Sequence, residues 1–382
     1  MRHHVAFIVN NYPPSVGGVE RHVSQLAGEL VRQGHAVTVV TLSDSPGTAV
    51  ENGIDIVRMP KHLPIASVLA FPAPGSSRAI RNLLAGGGVT AISTHTRFFP
   101  MSLVGGRVAR ALGVPHVHTE HGSGFVKGVS PLIGLASRLV DVSMGRRVLR
   151  SSDRVLGVSE DVIKFVRRLG RVEAQVFYNA IDLEEWPISP IAVAGTRFAF
   201  LGRLVPGKGW DTLLEASSML LAEVGPTFTV DVIGGGPDAE AVERRVRELD
   251  LSEVVVLHGH VRGPALAALM QDTTLVNPSV LSEGFQTSLL EALAMRSRIL
   301  SFPVPGLSSL LQDGAPLLVI DEATVSSLHE AMRDSLGVPW VPYPRDRLEK
   351  WAWPARAGEF IRALEVDSRL PVRSGSDRSQ RS

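Results

Sequence analysis

Short apolar runs recur along the chain, and between them lie longer stretches whose apolar positions return every three or four residues. The runs read as buried strands and the longer stretches as amphipathic helices, so the alternation predicts an α/β protein with parallel sheets. In the first half the strand pattern falls at 5–10, 36–41, 54–59, 89–94, 116–120 and 154–159. The clearest helix is GVERHVSQLAGELVRQG, apolar at 19, 23, 26, 27, 30 and 31 and stopped by Gly34. Around 182–195 the period lapses into DLEEWPISPIAVAG, which reads as a linker. Alternation restarts with strands at 197–202, 228–234, 254–259, 273–278, 298–303 and 316–321.

Two doubly wound, Rossmann-like units are therefore expected, residues 1–182 and 196–350, joined by 183–195 and facing each other across a cleft. Residues 351–367 predict a last helix after Pro354, expected to return to the first unit, and the polar, basic, aperiodic 368–382 is expected to be disordered. The formal net charge of +1 gives no overall signal for a nucleic acid partner, and the absence of cysteine excludes disulfides, thiolate metal sites and cysteine nucleophiles. The apolar run in MRHHVAFIVNN is too short for a signal peptide, and no apolar stretch approaches the ~18 residues of a spanning helix. A cytoplasmic protein, soluble or peripheral on a membrane, is the expectation.

Candidate chemistry concentrates in loops that follow predicted strands. Glu283-Gly-Phe-Gln-Thr-Ser-Leu-Leu-Glu291 follows the strand-like LVNPSV, with Ser282 as the expected cap of a helix from about Phe285 to Ala294. On helical geometry the two glutamates stand ~12 Å apart along the axis, and the first free N–H groups between them favour an anion such as a diphosphate. A capped surface helix with a solvated Glu291 is the plain alternative. Gly17 and Gly18 precede the first helix, where a phosphate or sugar can approach the backbone. Arg203 and Lys208 share a short loop after a strand, an arrangement suited to a leaving diphosphate. His118-Thr-Glu120-His121-Gly-Ser123 ends another strand, where a histidine can bond a sugar hydroxyl or hold a metal; strand alternation sets His118 and His121 on opposite faces and argues against the metal. No dinucleotide fingerprint, Walker lysine loop, H-E-x-x-H or G-x-S-x-G elbow is present.

In order and spacing, PPSVGGVE with LAGELVRQGHAVTVVT, HTEHGS, VLGVSEDV, YNAID, FLGRLVPGKGWDTLLEA, VIGGGP, HGHV and EGFQTSLLEALA resemble the family 4 retaining glycosyltransferases of the GT-B fold. The resemblance implies that Gly17 and Gly18 lie near donor phosphates and acceptor, and that Arg203 and Lys208 hold the diphosphate. Glu283 matches a glutamate near the donor sugar and Glu291 one that binds ribose. Phe285, Gln286, Thr287 and Ser288 would lie beside sugar and phosphate, His260 and Val261 would read the base, and His121 would sit close to the transferred sugar. The implied activity is transfer of a sugar from a nucleotide diphosphate to a glycan, lipid or small-molecule acceptor, with no essential metal and no other cofactor.

Four positions depart from the family pattern: Gln286 and Ala180 where glycine is usual, Ser297-Arg298 where a Gly-x-Pro turn is usual, and Ser309 where a glutamate is common. The stretch 127–150 carries Lys127, Arg138, Arg146, Arg147 and Arg150 among apolar residues, an expected peripheral contact with anionic membrane or an ordinary charged helix face. The rival readings are a degenerate GT-B protein that binds nucleotide or glycan without transferring anything, and a GT-B epimerase.

Overall fold

A parallel strand covered by helices on both faces presents apolar side chains to each, and Val5, Ala6, Phe7 and Ile8 are all fully buried. They belong to β1 (His4–Ile8), the inner strand around which the first half is built. The computed structural model describes residues 1–15, 17–65, 69–125, 131–186, 195–281 and 283–365. Ser282, Lys127, most of the expected linker and the 368–382 tail therefore lie outside the described residues.

The first half continues with β2 (Ala36–Ser43), β3 (Gly47–Glu51), β4 (Ile54–Pro60), β5 (His62–Ile65), β6 (Leu69–Phe71), β7 (Ala91–His95), β8 (His116–Glu120), β9 (Arg154–Gly157) and β10 (Gln175–Val176). Eight of these strands form one sheet in the order β10-β9-β8-β7-β1-β2-β4-β3, parallel except for the β3–β4 pair, while β5 and β6 pair separately. The second half supplies β11 (Arg197–Leu201), β12 (Thr229–Ile233), β13 (Val255–Gly259), β14 (Thr274–Asn277), β15 (Arg298–Ser301) and β16 (Leu317–Val319). These make an all-parallel sheet in the order β13-β12-β11-β14-β15-β16.

Every strand expected from the apolar runs forms, within two residues of its expected ends. The unforeseen β3 is an edge strand whose residues are mostly exposed, so it has no apolar run to announce it. The helix Trp353–Glu365 crosses back to the first half, where Trp353 and Phe360 share a core with Phe7, Val23 and Leu26. Its Trp353 Nε1 donates to Gln25 Oε1 at 3.0 Å.

Between Pro131 and Ser151 the chain is helical, and Leu135, Leu139 and Val142 stand exposed. Two of its expected surface cations are engaged elsewhere. Arg146 Nε and Arg150 Nε donate to the carbonyls of Leu169 and Gly170, at the C-terminus of the helix Glu160–Gly170, where free carbonyls and the dipole attract cations.

Candidate functional site

Strand order alone locates the crevices. In the second sheet the chain winds one way through β11, β12 and β13, then reverses through β14, β15 and β16. The switch point lies between β11 and β14, and the loops leaving their carboxyl ends carry Arg203 with Lys208 and Glu283 with Gln286. In the first sheet β1 and β7 flank the equivalent reversal, followed by the Gly17-Gly18 loop and by the segment after His95.

The two loops of the second sheet are held together by close backbone contact. Val280 N donates to Gly207 O at 2.9 Å. Gly209 has φ +81°, and a Cβ there would come within 2.1 Å of the Pro278 carbonyl oxygen, so only glycine fits. Against this frame Lys208 Nζ donates to Glu283 Oε2 at 2.8 Å. Arg203 on the same loop is exposed and makes no ion pair among the described residues.

The helix that follows runs from Thr287 to Ala294, two residues later than expected. Its N-cap is Gln286, which makes no side-chain cap bond. Glu283 stands outside the helix, as the expected start near Phe285 already placed it. Phe285 is buried against Tyr178 and Trp351, with ring centroids at 5.7 and 5.6 Å. Thr287 and Ser288 are half-buried at the helix start, where backbone N–H groups lack intrahelical acceptors. Gln286 is only 7% exposed, and neither its amide nitrogen nor its amide oxygen has a partner among the described residues. Leaving two such groups unpaired costs roughly 1–3 kcal/mol each, which points to a ligand that supplies both a donor and an acceptor.

Glu291 is buried rather than solvated, and its Oε1 accepts from Arg21 Nη1 across the cleft at 2.6 Å. Burial pushes its pKa up, with Arg21 acting in the opposite direction. His260 lies exposed just past β13 and accepts from Arg262 Nε at 2.7 Å, while Val261 packs against the core beneath the site.

The opposite wall is built on a buried charge network. Arg97 forms a two-point contact with Asp141, at 2.8 and 3.0 Å, and donates from Nη1 to Glu120 Oε1 at 2.9 Å. Glu120 also accepts from the backbone N–H groups of His121 and Gly122. Burial alone would raise the Glu120 pKa, but Arg97, His118 and the Gly122 N–H outweigh it and hold the carboxyl well below its usual range. This network fixes the turn that presents His121 and Ser123. Ser123 Oγ donates to the Glu283 carbonyl at 2.6 Å, and a Cβ on Gly284 would lie 2.3 Å from the His121 carbonyl oxygen, so the two walls meet beside Glu283.

His118 points away from His121: it lies buried in the strand, with Nδ1 2.9 Å from Thr94 Oγ1. His121 Nε2 instead lies 3.0 Å from His95 Nδ1, and the His22 ring meets His121 edge-on at 4.8 Å. Gly17 caps the first helix in extended backbone, with the Glu20 carboxylate folded over it, while Gly18 opens onto free space. Asn179 joins the walls, its Nδ2 donating to the Phe285 carbonyl at 2.6 Å and its Oδ1 2.9 Å from His22 Nδ1.

Arg21, His22, His95 and Asn179 escaped the sequence reading. Arg21 and His22 sit in the first turns after Gly18, and His95 ends a strand beside the reversal, so the rule placing ligands at strand carboxyl ends contained the signal for His95.

Residues 16–185 match the model of Glycosyltransferase Family 4, and residues 195–337 match that of Glycosyl transferases group 1. The GDP-mannose-dependent alpha-(1-6)-phosphatidylinositol monomannoside mannosyltransferase of Mycolicibacterium smegmatis is 25% identical over 395 residues, covering 94% of this chain and 97% of that protein. The D-inositol 3-phosphate glycosyltransferase of Nocardia farcinica is 26% identical over 371 residues, covering 87% and 79%. Among solved structures, the sucrose-phosphate synthase of Thermosynechococcus elongatus superposes with a TM-score of 0.74 at 20% identity, over 95% of this chain and 99% of that one. HepE of Anabaena in complex with UDP gives 0.73 at 14% identity over the same shares. The first match covers the chain from the first helix through β10 and the second from β11 through β16, and the chain is a family 4-like glycosyltransferase of the GT-B fold.

Proposed function

We propose that the cleft binds a nucleoside diphosphate sugar and transfers its glycosyl group, with retention of anomeric configuration, to an acceptor hydroxyl. The observation that carries this reading is the gathering of Lys208, Glu283 and Gln286 at the switch point of the second sheet, facing the His121 turn. Arg203 and Lys208 grip the diphosphate, aided by the N–H groups of Thr287 and Ser288. Glu291 receives ribose hydroxyls, Val261 and His260 flank the base, and Gln286 with Glu283 reads the sugar. Gly17 and Gly18 leave room for phosphate and acceptor on the opposite wall.

In the chemical step the acceptor oxygen bonds to the anomeric carbon as the bond from that carbon to the phosphate oxygen breaks. The acceptor proton passes to the departing phosphate oxygen, and the nucleoside diphosphate leaves. Lys208, Arg203 and the helix N-terminus stabilise the charge that develops on it, so no side chain has to act as nucleophile. Glu283 is accordingly no general acid, and His121 positions the sugar through its ring and carbonyl. The name of the mycolicibacterial relative specifies GDP-mannose and a phosphatidylinositol acceptor, and the HepE structure holds UDP. Either base is compatible with this site, and a lipid acceptor suits the exposed Leu135, Leu139 and Val142 beside Arg138 and Arg147, which we assign to peripheral contact with anionic membrane.

The test is a panel of UDP-, GDP- and ADP-sugars, followed by nucleotide release and by NMR of the anomeric proton of the product. Release from one donor class with the donor's own anomeric configuration is expected. An inverted product would overturn retention, and nucleotide binding without any release would favour the non-catalytic partner.

A further inference from the structure

We propose that His22, His95 and His121 form a binding site for one divalent transition-metal ion of the zinc class, with one coordination position left open. Each ring offers a nitrogen, and these three atoms all lie within 4.8 Å of one another. A tetrahedral zinc with nitrogen ligands at about 2.05 Å needs nitrogen separations of roughly 3.3 Å, so a small inward rotation of the rings closes the site.

The tautomers favour an ion over a purely hydrogen-bonded cluster. Asn179 Nδ2 donates to the Phe285 carbonyl at 2.6 Å, which can only accept, and this fixes the amide so that Oδ1 faces His22. His22 Nδ1, 2.9 Å from that oxygen, must therefore be the protonated nitrogen. Its Nε2 carries the lone pair, is buried, and has no partner among the described residues. Between His95 Nδ1 and His121 Nε2, 3.0 Å apart, one nitrogen must likewise present a lone pair. His95 Nε2 lies 3.2 Å from Ser93 Oγ, a contact of the type that orients a ligating imidazole from its far side. His22 is clamped edge-on against Phe177 and Trp353, with centroids at 5.8 and 5.1 Å. Three imidazoles match zinc, cobalt, nickel and copper better than magnesium or calcium.

The rings come from three elements: the first helix, the end of β7 and the turn after β8. An ion there ties them together and holds the His121 ring toward the first helix. If His121 positions the sugar as proposed above, metal loading slows transfer; the site itself does not depend on that reading.

The experiment is calorimetric titration of the chelator-treated full chain with Zn2+, paired with visible spectra on adding Co2+. One ion per chain and the strong absorption of four-coordinate Co2+ are expected. Both should weaken in His22→Gln and in His95→Gln by roughly 100-fold or more, beyond the ~10–100-fold typical of losing an outer-shell partner of a ligand. Zn2+ should raise the melting temperature of the parent chain and not of either variant, while His35→Ala, away from the cluster, keeps the full response. No saturable binding, undiminished binding in both glutamine variants, or loss only in His35→Ala as an adventitious site near the N-terminus would overturn the proposal. Because these readouts use the ion alone, their failure leaves the transferase reading untouched, and absent sugar transfer would leave them untouched.

Discussion

Arg21 in the first half of the chain donates from Nη1 to Glu291 Oε1 in the second, at 2.6 Å, so the carboxylate proposed to receive ribose is already bonded across the cleft. A nucleotide must enter beside this pair or take Arg21's place. Because its pKa is raised by burial, the Glu291 carboxyl favours the folded state most below its unfolded pKa, and this contribution is lost as pH rises through the folded value. Glu291→Gln is therefore expected to keep its melting temperature near that of the parent at pH 7. It should weaken nucleoside diphosphate binding by about 10-fold or more, the value of one charge-assisted hydrogen bond. Unchanged affinity by calorimetry would remove Glu291 from the ribose site.

Gln286 is expected to set donor choice. Its buried, unpartnered amide stands where this family often has glycine. Gln286→Gly should change the ratio of kcat/KM between two donors differing in one sugar hydroxyl by about 10-fold, because a site built to bond a hydroxyl discriminates through it. An equal fall on all donors would mean that Gln286 only supports the loop.

Stability should fall on mild acidification. Burial pushes His22 down to about 4 and His116 to about 3, and holds His95 well below its ordinary value. Groups whose folded pKa is depressed give stability that is present above the unfolded value near 6.5 and lost as pH falls toward the folded values. By pH 5.5, a unit below the unfolded value, His22 and His116 should each have cost on the order of 1 kcal/mol, with His95 acting in the same direction. The thermal midpoint should drop clearly between pH 7.5 and 5.5, and replacing His116 with a neutral isostere should reduce that drop. A flat midpoint over this range would contradict the burial of these rings.

The membrane assignment rests on Leu135, Leu139 and Val142, exposed by 59%, 63% and 44%. In vesicle flotation the chain should float with anionic and not with neutral vesicles, and Leu135→Asp with Leu139→Asp should abolish this. Equal behaviour toward both vesicle types would end the assignment.

Much of this was legible in the sequence, for identifiable reasons. Strands buried on both faces are near-continuous apolar runs, so β1, β2, β11 and β14 announce themselves. Lys208 and Glu283 were legible because the loops after such strands are where ligands sit. Arg21 and His22 were not, because both lie inside a helix, where a polar residue looks like an ordinary helix face. The buried Arg97–Asp141 pair joins residues 44 apart, a contact that no local pattern encodes. The start of the Thr287–Ala294 helix was misplaced because Gln286 is not among the residues preferred at N-caps, and its buried, unpartnered amide is better explained by a ligand than by the helix.

The central claim is that the switch-point crevice holds the diphosphate of a nucleotide sugar through Lys208. Lys208 pairs with the partly exposed Glu283, which water can solvate once the lysine is gone, so the variant should still fold, as its melting temperature will show. Titration of UDP, GDP and ADP into the parent chain and into Lys208→Ala tests it directly. One nucleotide should bind the parent and bind the variant at least about 10-fold more weakly, with turnover of its sugar donor lost. Equal affinity and turnover in the two proteins would contradict the account.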